Sequence, residues 1–219
     1  MTGEPIQTRV LSAQIIPNAE KAMLKSLNVP EGHVSLGLIT TDCDDVSYAA
    51  LDEATKKAEV TVVYARSMYA GSSNASTALA GEFIGILSAA DPSEVRSGLD
   101  AAIRYINEDA HFYKANDEGT VVYFAQLISK TGSYLSSLAG VPEGTPMAYL
   151  IAPPLEAMMG LDAAVKRSGV EINCFYGPPT ETNFAGGLLT GDQAACREAC
   201  LAFAETVCNI AAVPVSIKE

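Results

Sequence analysis

Acidic residues cluster directly after a strongly apolar run of the sequence. The stretch Thr41-Asp42-Cys43-Asp44-Asp45 holds three carboxylates, and Glu82 precedes a later apolar run. Carboxylates grouped in this way could accept hydrogen bonds from an ammonium group, which is cationic and carries three N–H donors. A structural role is also open, because Asp44 or Asp45 could cap the helix that follows.

The sequence offers little support for catalysis. Asp44 and Glu82 could act as an acid and base pair, but no nucleophile or cofactor fingerprint accompanies them. The two histidines, His33 and His111, lie in neither a Ser-His-Asp nor a Cys-His setting, and the glycines form no dinucleotide or phosphate loop. We therefore predict no enzyme, no catalytic residue, no metal site and no required cofactor.

The cysteines indicate a structural role in the core and a protein from a reducing compartment. Cys196, Cys200 and Cys208 share one apolar face of the last predicted helix, where burial of free cysteine is the common case and metal binding would need partners from elsewhere. The total of five is odd, which argues against a secreted disulfide framework. We expect a cytosolic protein.

Charge and hydropathy exclude two classes of partner. The formal net charge of −12 makes nucleic acid and anionic membrane surfaces poor partners, since both require a cationic face. No apolar run approaches the ~20 residues that span a bilayer. The first residues also lack the basic start and apolar core of a signal peptide.

The elements that must position the acidic cluster occur twice. The tetrapeptide VPEG at residues 29–32 recurs at 141–144, 112 positions later. Three further stretches recur in the same order: AQII (13–16) as AQLI (125–128), LDEATKKAEV (51–60) as LDAAVKRSGV (161–170), and ADPSEVRSGLDA (90–101) as GDQAACREACLA (191–202). The chain is therefore a tandem duplication.

Each copy predicts the order strand, helix, strand, helix, strand, strand, helix, which is typical of a two-layer α/β sandwich. Asn18 is the predicted N-cap of the first helix, and Asp91 followed by Pro92 is the predicted start of the third. Between the last two strands, the first copy has the Gly, Ser and Ala-rich loop 69–81, whereas the second has a shorter, proline-containing loop at 176–186. Loops held by a regular scaffold often carry function.

These repeated motifs resemble the bacterial microcompartment shell domain. Both copies contain D-x-x-x-K-x-x-x-V, then a loop, a short strand and D-x-x-x-V/C-R. The matching residues are Asp52, Lys56, Val60, Asp91 and Arg96 in the first copy and Asp162, Lys166, Val170, Asp192 and Arg197 in the second. The stretches RSMYAG, KTGSYLSSLAGV and PPTETN extend the similarity, over nearly the whole chain, to tandem-domain shell proteins of the ethanolamine utilisation class.

The resemblance implies an α/β fold with two ferredoxin-like shell domains of permuted connectivity, at residues 1–108 and 109–219. It also implies a homotrimer of pseudohexagonal outline that tiles edge to edge with other shell proteins, in a microcompartment shell within the cytoplasm. Lys56 and Lys166 would lie at the edge of this disc. As a residue pattern, they also fit ordinary solvated lysines at helix C-termini, which the helix dipole favours.

The resemblance further implies small pores that bind ethanolamine. Asp44 and Glu82 would accept from the ammonium group, and Phe112 and Thr182 would complete the pocket. Asp45 would replace Asp44 if the register shifts by one residue.

A gated central opening is a further hypothesis, with loops 69–81 and 176–183 as its lining. Because the lyase housed in such compartments depends on cobalamin, this cofactor is a candidate for a transported or bound ligand. The alternative is a soluble, duplicated sensor of small amines. A sensor would remain a discrete oligomer, whereas a shell protein should associate into sheets.

Overall fold

A computed structural model describes residues 1–68, 77–178, 180 and 182–216 and divides the chain into two compact units. The N-unit consists of residues 7–110 and 132–137. The C-unit consists of residues 1–6, 111–131 and 138–219. The division of the repeat at residues 108 and 109 stays a prediction.

The first copy of the repeat forms an antiparallel sheet covered by helices. After the two-residue strand β1 (Pro5–Ile6), its elements follow in the predicted order. They are β2 (Val10–Ile16), α1 (Lys21–Ser26), β3 (Ser35–Thr41), α2 (Asp44–Lys57), β4 (Thr61–Ser67), β5 (Phe83–Ala89) and α3 (Pro92–Glu108). The sheet has the strand order β2-β3-β5-β4.

The second copy repeats this order after an added strand. Its elements are β6 (Phe112–Lys114), β7 (Val122–Ile128), α4 (Ser133–Ala139), β8 (Met147–Ala152), α5 (Pro154–Ser168), β9 (Glu171–Tyr176), β10 (Ala185–Thr190) and α6 (Gln193–Ala212). The sheet order is β1-β6-β7-β8-β10-β9. The predicted α/β duplication is confirmed. The segment between the copies contains β6, which pairs with β1 and β7.

Local sequence predicts the start of α3 correctly but not the start of α1. Asp91 is the N-cap of α3, as predicted, and its carboxylate accepts a hydrogen bond from the Ser93 amide at 2.7 Å. The prediction of Asn18 as the first N-cap was wrong, since α1 is short and Glu20 precedes it. None of the α1 residues is buried, so packing within the chain does not extend this helix.

The C-unit core depends on a close approach of α5 and α6. A Cβ at Gly160 would lie 2.6 Å from the Phe203 ring, and Phe203 is fully buried. Glycine at this position therefore lets the two helices pack closely. No helix in the described part of the chain is long and apolar enough to cross a membrane.

A buried carboxylate ties α2 to the start of α4 within the N-unit. Asp52 is fully buried and accepts backbone hydrogen bonds from Gly132 at 2.7 Å and Leu135 at 2.9 Å. Lys56 adds a cation 3.7 Å from the same carboxylate. Burial raises the pKa of Asp52, while the two amides and Lys56 favour its charged form.

We expect Asp52→Ala to lower the free energy of unfolding by about 2–4 kcal/mol, because two buried amide donors would lose their acceptor. Asp100→Ala, at an exposed position of α3, is the control and should change stability by less than about 0.5 kcal/mol. Denaturant unfolding followed by circular dichroism measures both. Equal losses in the two variants would contradict the structural role of Asp52.

Candidate functional site

Three strand ends of the N-unit meet at one end of its sheet. Phe83 at the start of β5 pairs with Thr41 at the end of β3 and with Ser67 at the end of β4. Neighbouring strands are antiparallel, so the residues just beyond these positions lie at the same end of the sheet. This register brings Asp44 and Glu82 close to each other, although they are far apart in the sequence.

Glu82 is fixed at this end of the sheet through its backbone. Its amide donates to the Thr41 carbonyl at 2.8 Å, and its carbonyl accepts from the Met68 amide at 2.8 Å. Gly81 has a φ of 64°, and a Cβ there would lie 2.1 Å from the Thr41 carbonyl oxygen. Only glycine fits before Glu82, because any side chain would collide with the backbone.

Asp42, the first acid of the cluster, forms an ion pair with Arg9. Its carboxylate accepts from the Arg9 amide and from the Arg9 Nε, both at 2.7 Å. Among the residues that the structure describes, neither Asp44 nor Glu82 has a guanidinium partner of this kind. The hydrogen bonds of Asp42 are directed to Arg9, and its negative charge still raises the pKa of Glu82.

Asp44 and Asp45 form the first turn of α2 and are buried, with 8% and 7% of their surfaces exposed. The prediction that one of them caps the helix was wrong. Cys43 is the N-cap and makes no capping bond with its side chain, while the Asp44 carboxylate accepts from the Asp45 amide at 2.9 Å. The helix dipole favours negative charge at this position.

The environment makes Asp44 and Glu82 weaker acids than usual. Burial raises the pKa of Asp44, although the Ser67 hydroxyl and nearby amides oppose the shift by binding the charged form. Partial burial raises the pKa of Glu82, and the negative charges of Asp44 and Asp42 raise it further. A cation bound beside these carboxyl groups would lower their pKa values, since a nearby opposite charge favours ionised carboxylates.

Two residues of the site, Tyr48 and Ser67, were not identified from the sequence. The Tyr48 hydroxyl lies 3.0 Å from the Ser67 hydroxyl, which in turn hydrogen-bonds to Asp44. The Tyr48 ring packs edge-on against Phe83 with centroids 4.9 Å apart. The relevant signal was the strand end at Ser67, but only the pairing of β4 with β5 places it beside α2.

Cys43 lies among these acids but does not supply a nucleophile. Burial raises the pKa of its thiol, and the negative charges of Asp45 and Asp44 raise it further. The thiol therefore stays protonated, whereas the reactive form of cysteine is the thiolate.

Phe112 and Thr182, the other predicted ligand contacts, belong to the C-unit. Phe112 lies on β6, stacks on Phe124 at a centroid distance of 5.3 Å and meets the Phe184 ring at 5.9 Å. Thr182 donates its amide to the Thr180 hydroxyl at 3.4 Å. Their part in binding stays a prediction.

The predicted gate lies partly outside the described residues. Residues 69–76 of the first loop and residues 179 and 181 of the second are among those the structure does not describe. The lining of a central opening by loops 69–81 and 176–183 therefore stays a prediction.

The two predicted edge lysines have different surroundings. Lys56 pairs with Asp52 and Glu53, and 24% of its side chain is exposed. Lys166 pairs with Asp162 at 2.7 Å, and 74% of its side chain is exposed. The ion pair is thus repeated in both copies, but in the first copy its acid is buried.

The cysteines of α6 lie in its packed face. Cys196 and Cys200 are buried and Cys208 is half-buried, and none of the three is in a disulfide. Burial raises the pKa of Cys200 to about 12. Among the residues the structure describes, no group of three or more His, Cys, Asp or Glu side chains has the arrangement of a metal site.

Comparison with known proteins gives one consistent family. Residues 35–116 match the BMC domain family. The chain is 58% identical over 215 residues to the bacterial microcompartment shell protein EutL of Clostridium perfringens, covering 98% of this chain and 99% of that one. It is 48% identical over 210 residues to EutL of Salmonella typhimurium, covering 96% of each. The crystal structure of the ethanolamine utilization protein EutL from Leptotrichia buccalis superposes with a TM-score of 0.96 at 55% identity, covering 99% of this chain and 100% of that one.

We expect Asp44→Asn to be more stable than the unsubstituted protein at neutral pH. Because the raised pKa means that the folded chain holds the Asp44 proton more tightly than the unfolded chain, stability falls as pH rises through the folded pKa. The gain in Asp44→Asn should therefore disappear below the ordinary aspartate pKa of 3.8. Thermal unfolding across this pH range measures it.

Asp100→Asn is the control for the Asp44 experiment, because it makes the same substitution at an exposed position outside the acidic cluster. An Asp44→Asn variant less stable than the unsubstituted protein at neutral pH would contradict the account.

Proposed function

The chain belongs to the EutL family of bacterial microcompartment shell proteins, and on that basis we propose that it forms pseudohexagonal trimers with small ethanolamine-binding pores. Family membership makes it a structural component of a microcompartment shell, associated with other shell proteins, and not an enzyme. The trimer, its pores and their ligand are our proposals.

The observation that carries the ligand proposal is the buried Asp44 carboxyl beside Glu82. Burial raises the pKa of both acids, and the negative charge of Asp44 raises that of Glu82 further, so a ligand that brings a positive charge gains more here than at an exposed site. An ammonium group also supplies three N–H donors for carboxylate oxygens. The relative from Leptotrichia buccalis is described as an ethanolamine utilization protein, which fits a small amino alcohol as ligand.

The shape of the assembly follows from the duplication. A chain with two similar halves can close by threefold symmetry through heterologous contacts into a disc of nearly sixfold outline. Such discs fill a plane, and Lys56 and Lys166 are the proposed contacts between neighbouring discs. A gated central opening between loops 69–81 and 176–183 is part of the same proposal, with cobalamin as a candidate transported or bound ligand.

Calorimetric titration with ethanolamine should show saturable binding at neutral pH. We expect Glu82→Gln to weaken binding by roughly tenfold or more, the typical value of a charge-assisted hydrogen bond. Glu156→Gln is the matched control, because Glu156 is the acid in the first turn of the equivalent helix α5. Binding should also weaken as pH falls. The raised pKa values of Asp44 and Glu82 mean that these carboxylates are protonated at higher pH than ordinary ones, and protonation removes the charge that attracts the ammonium group.

Two outcomes would contradict the ligand proposal. One is the absence of binding in the unsubstituted protein. The other is an equal loss in the Glu82 and Glu156 variants, since only Glu82 belongs to the acidic cluster. Either result would leave the shell assignment in place, because that assignment rests on family membership.

Edge-to-edge assembly is tested separately by electron microscopy of the purified protein. We expect sheets from the unsubstituted protein and loss of sheets in Lys56→Ala/Lys166→Ala, with the size of the discrete oligomer unchanged. Lys57→Ala is the control, because Lys57 is adjacent on α2, is 62% exposed and also pairs with Glu53. Sheets that persist in the double variant would contradict the edge assignment, and an unsubstituted protein that forms none would favour the amine-sensor alternative.

A further inference from the structure

A chain of two hydroxyl groups leads to Asp44. The Tyr48 hydroxyl lies 3.0 Å from the Ser67 hydroxyl, and Ser67 hydrogen-bonds to the Asp44 carboxyl group. Tyr48 follows Asp44 by about one turn of α2, whereas Ser67 is the last residue of β4. Two elements that are separate in the sequence therefore direct their hydroxyl groups to one carboxyl group.

The surroundings fix both hydroxyl groups in place. Ser67 pairs with Phe83 across β4 and β5. Phe83 is fully buried, and its ring meets the Tyr48 ring edge-on with centroids 4.9 Å apart. The Tyr134 ring, from α4, stacks on the Tyr48 ring at a centroid distance of 6.4 Å. Packing against two rings restricts the rotamers of Tyr48, so its hydroxyl stays near Ser67.

The direction of these hydrogen bonds follows from the charge of Asp44. An ionised carboxylate has only acceptors, so the Ser67 hydroxyl donates to it. The Ser67 oxygen can then accept from the Tyr48 hydroxyl. Hydrogen bonds in such a chain polarise one another, so the bond from Tyr48 strengthens the bond from Ser67 to Asp44. The chain of hydroxyl groups thus favours the charged form of Asp44.

This support matters because, in the described part of the chain, the titratable groups that interact with Asp44 are acids. They are Asp45 and Tyr48 on α2, Cys43 in the turn before it and Glu82 before β5. Arg66 precedes Ser67 on β4, where successive side chains alternate between faces, and its guanidinium lies over the Tyr64 ring. Burial raises the pKa of Asp44, and the Ser67 hydroxyl is the strongest group that opposes this shift.

The second copy lacks all three members of this chain of groups. Residues 51–60 match 161–170 at a spacing of 110, and α2 and α5 begin at the same spacing. The irregular pairing at Val63 of β4 also recurs at Asn173 of β9, so the alignment continues through these strands. In place of Asp44, Tyr48 and Ser67, the second copy has Pro154, Met158 and Gly177. The acid and both hydroxyl groups occur together in one copy, as expected of groups that act together.

We infer that Tyr48 and Ser67 are positioning residues of the ammonium site. Their hydrogen bonds hold the Asp44 carboxyl group in the orientation and the ionised form that bind a cationic ligand. Neither hydroxyl group needs to touch the ligand, because both act through Asp44. This inference rests on the proposed ethanolamine site and identifies the groups that adjust its affinity and its pH range.

Calorimetric titration of the full chain with ethanolamine, repeated from acidic to mildly alkaline pH, tests the role of Ser67. We expect Ser67→Ala to weaken binding by roughly tenfold at neutral pH, the effect of losing one hydrogen bond to a charged group. The loss should shrink as pH rises. Without the donor the pKa of Asp44 is higher, and a higher pH restores the charge of this carboxylate.

Ser67→Thr is the matched control for this experiment. It keeps the hydroxyl group, and threonine suits a strand, so this variant should bind ethanolamine like the unsubstituted protein.

Tyr48→Phe tests the outer member of the chain, because it keeps the packed ring and removes only the hydroxyl. We expect a smaller loss of affinity, about fivefold, with the same dependence on pH, since a bond between two neutral groups is lost. Tyr64→Phe is the matched control, because Tyr64 lies on β4 with Ser67 and is 40% exposed. It should leave binding unchanged, and an equal effect of the two tyrosine variants would contradict the role of Tyr48.

A double-mutant cycle measures the same coupling without ligand. Ser67→Ala is made in the unsubstituted protein and in Asp44→Asn, and thermal unfolding is followed by circular dichroism at mildly alkaline pH. We expect Ser67→Ala to lower the melting temperature less in the Asp44→Asn background, because the bond to the charged carboxylate is already absent there.

The outcomes separate this inference from the proposed function. The positioning role is wrong, and the ethanolamine site stands, if Ser67→Ala binds ethanolamine like the unsubstituted protein. The same conclusion follows if its loss of affinity is equal at every pH, which indicates a structural effect, or if Ser67→Ala lowers the melting temperature equally in both backgrounds. If the unsubstituted protein does not bind ethanolamine, both the proposed site and this inference are wrong.

Discussion

The antiparallel register that aligns Thr41, Phe83 and Ser67 is the constraint on which the candidate site depends. It places the turn into α2, the end of β4 and the start of β5 at one end of a sheet. The buried carboxyl group of Asp44 and the partly buried one of Glu82 lie at this end. Gly81 permits the close backbone approach that fixes Glu82. Negative charge is thereby concentrated where water is partly excluded, which favours a cationic ligand over an anionic or neutral one.

Two buried acids on α2 illustrate how environment separates roles. Asp52 receives two backbone amides and lies near Lys56, so the chain itself compensates its charge. Asp44 receives a hydroxyl and a neighbouring amide, and its negative charge raises the pKa of Glu82 at the same end of the sheet. Burial raises the pKa of both aspartates. The same residue type thus serves structure at one position and, in the proposed function, ligand binding at the other.

Duplication followed by divergence explains the rest of the architecture. Both copies kept the element order and the Asp-Lys pair at the helix end, because the fold of each unit requires the same layers. They diverged where the surroundings differ. Asp45 and Ala49 of α2 are buried, whereas Leu155 and Met159, at the equivalent positions of α5, are exposed.

The sequence by itself determined the duplication, the element order, the acidic residues and the family. These features are encoded by local patterns: hydrophobic period, turn residues and repeat spacing are all read over short stretches. The tertiary structure decided that Cys43 and not an aspartate is the N-cap of α2, that Arg9 binds Asp42, and that Ser67 and Tyr48 join Asp44. Such contacts depend on strand register and on packing between distant segments, which local patterns do not specify.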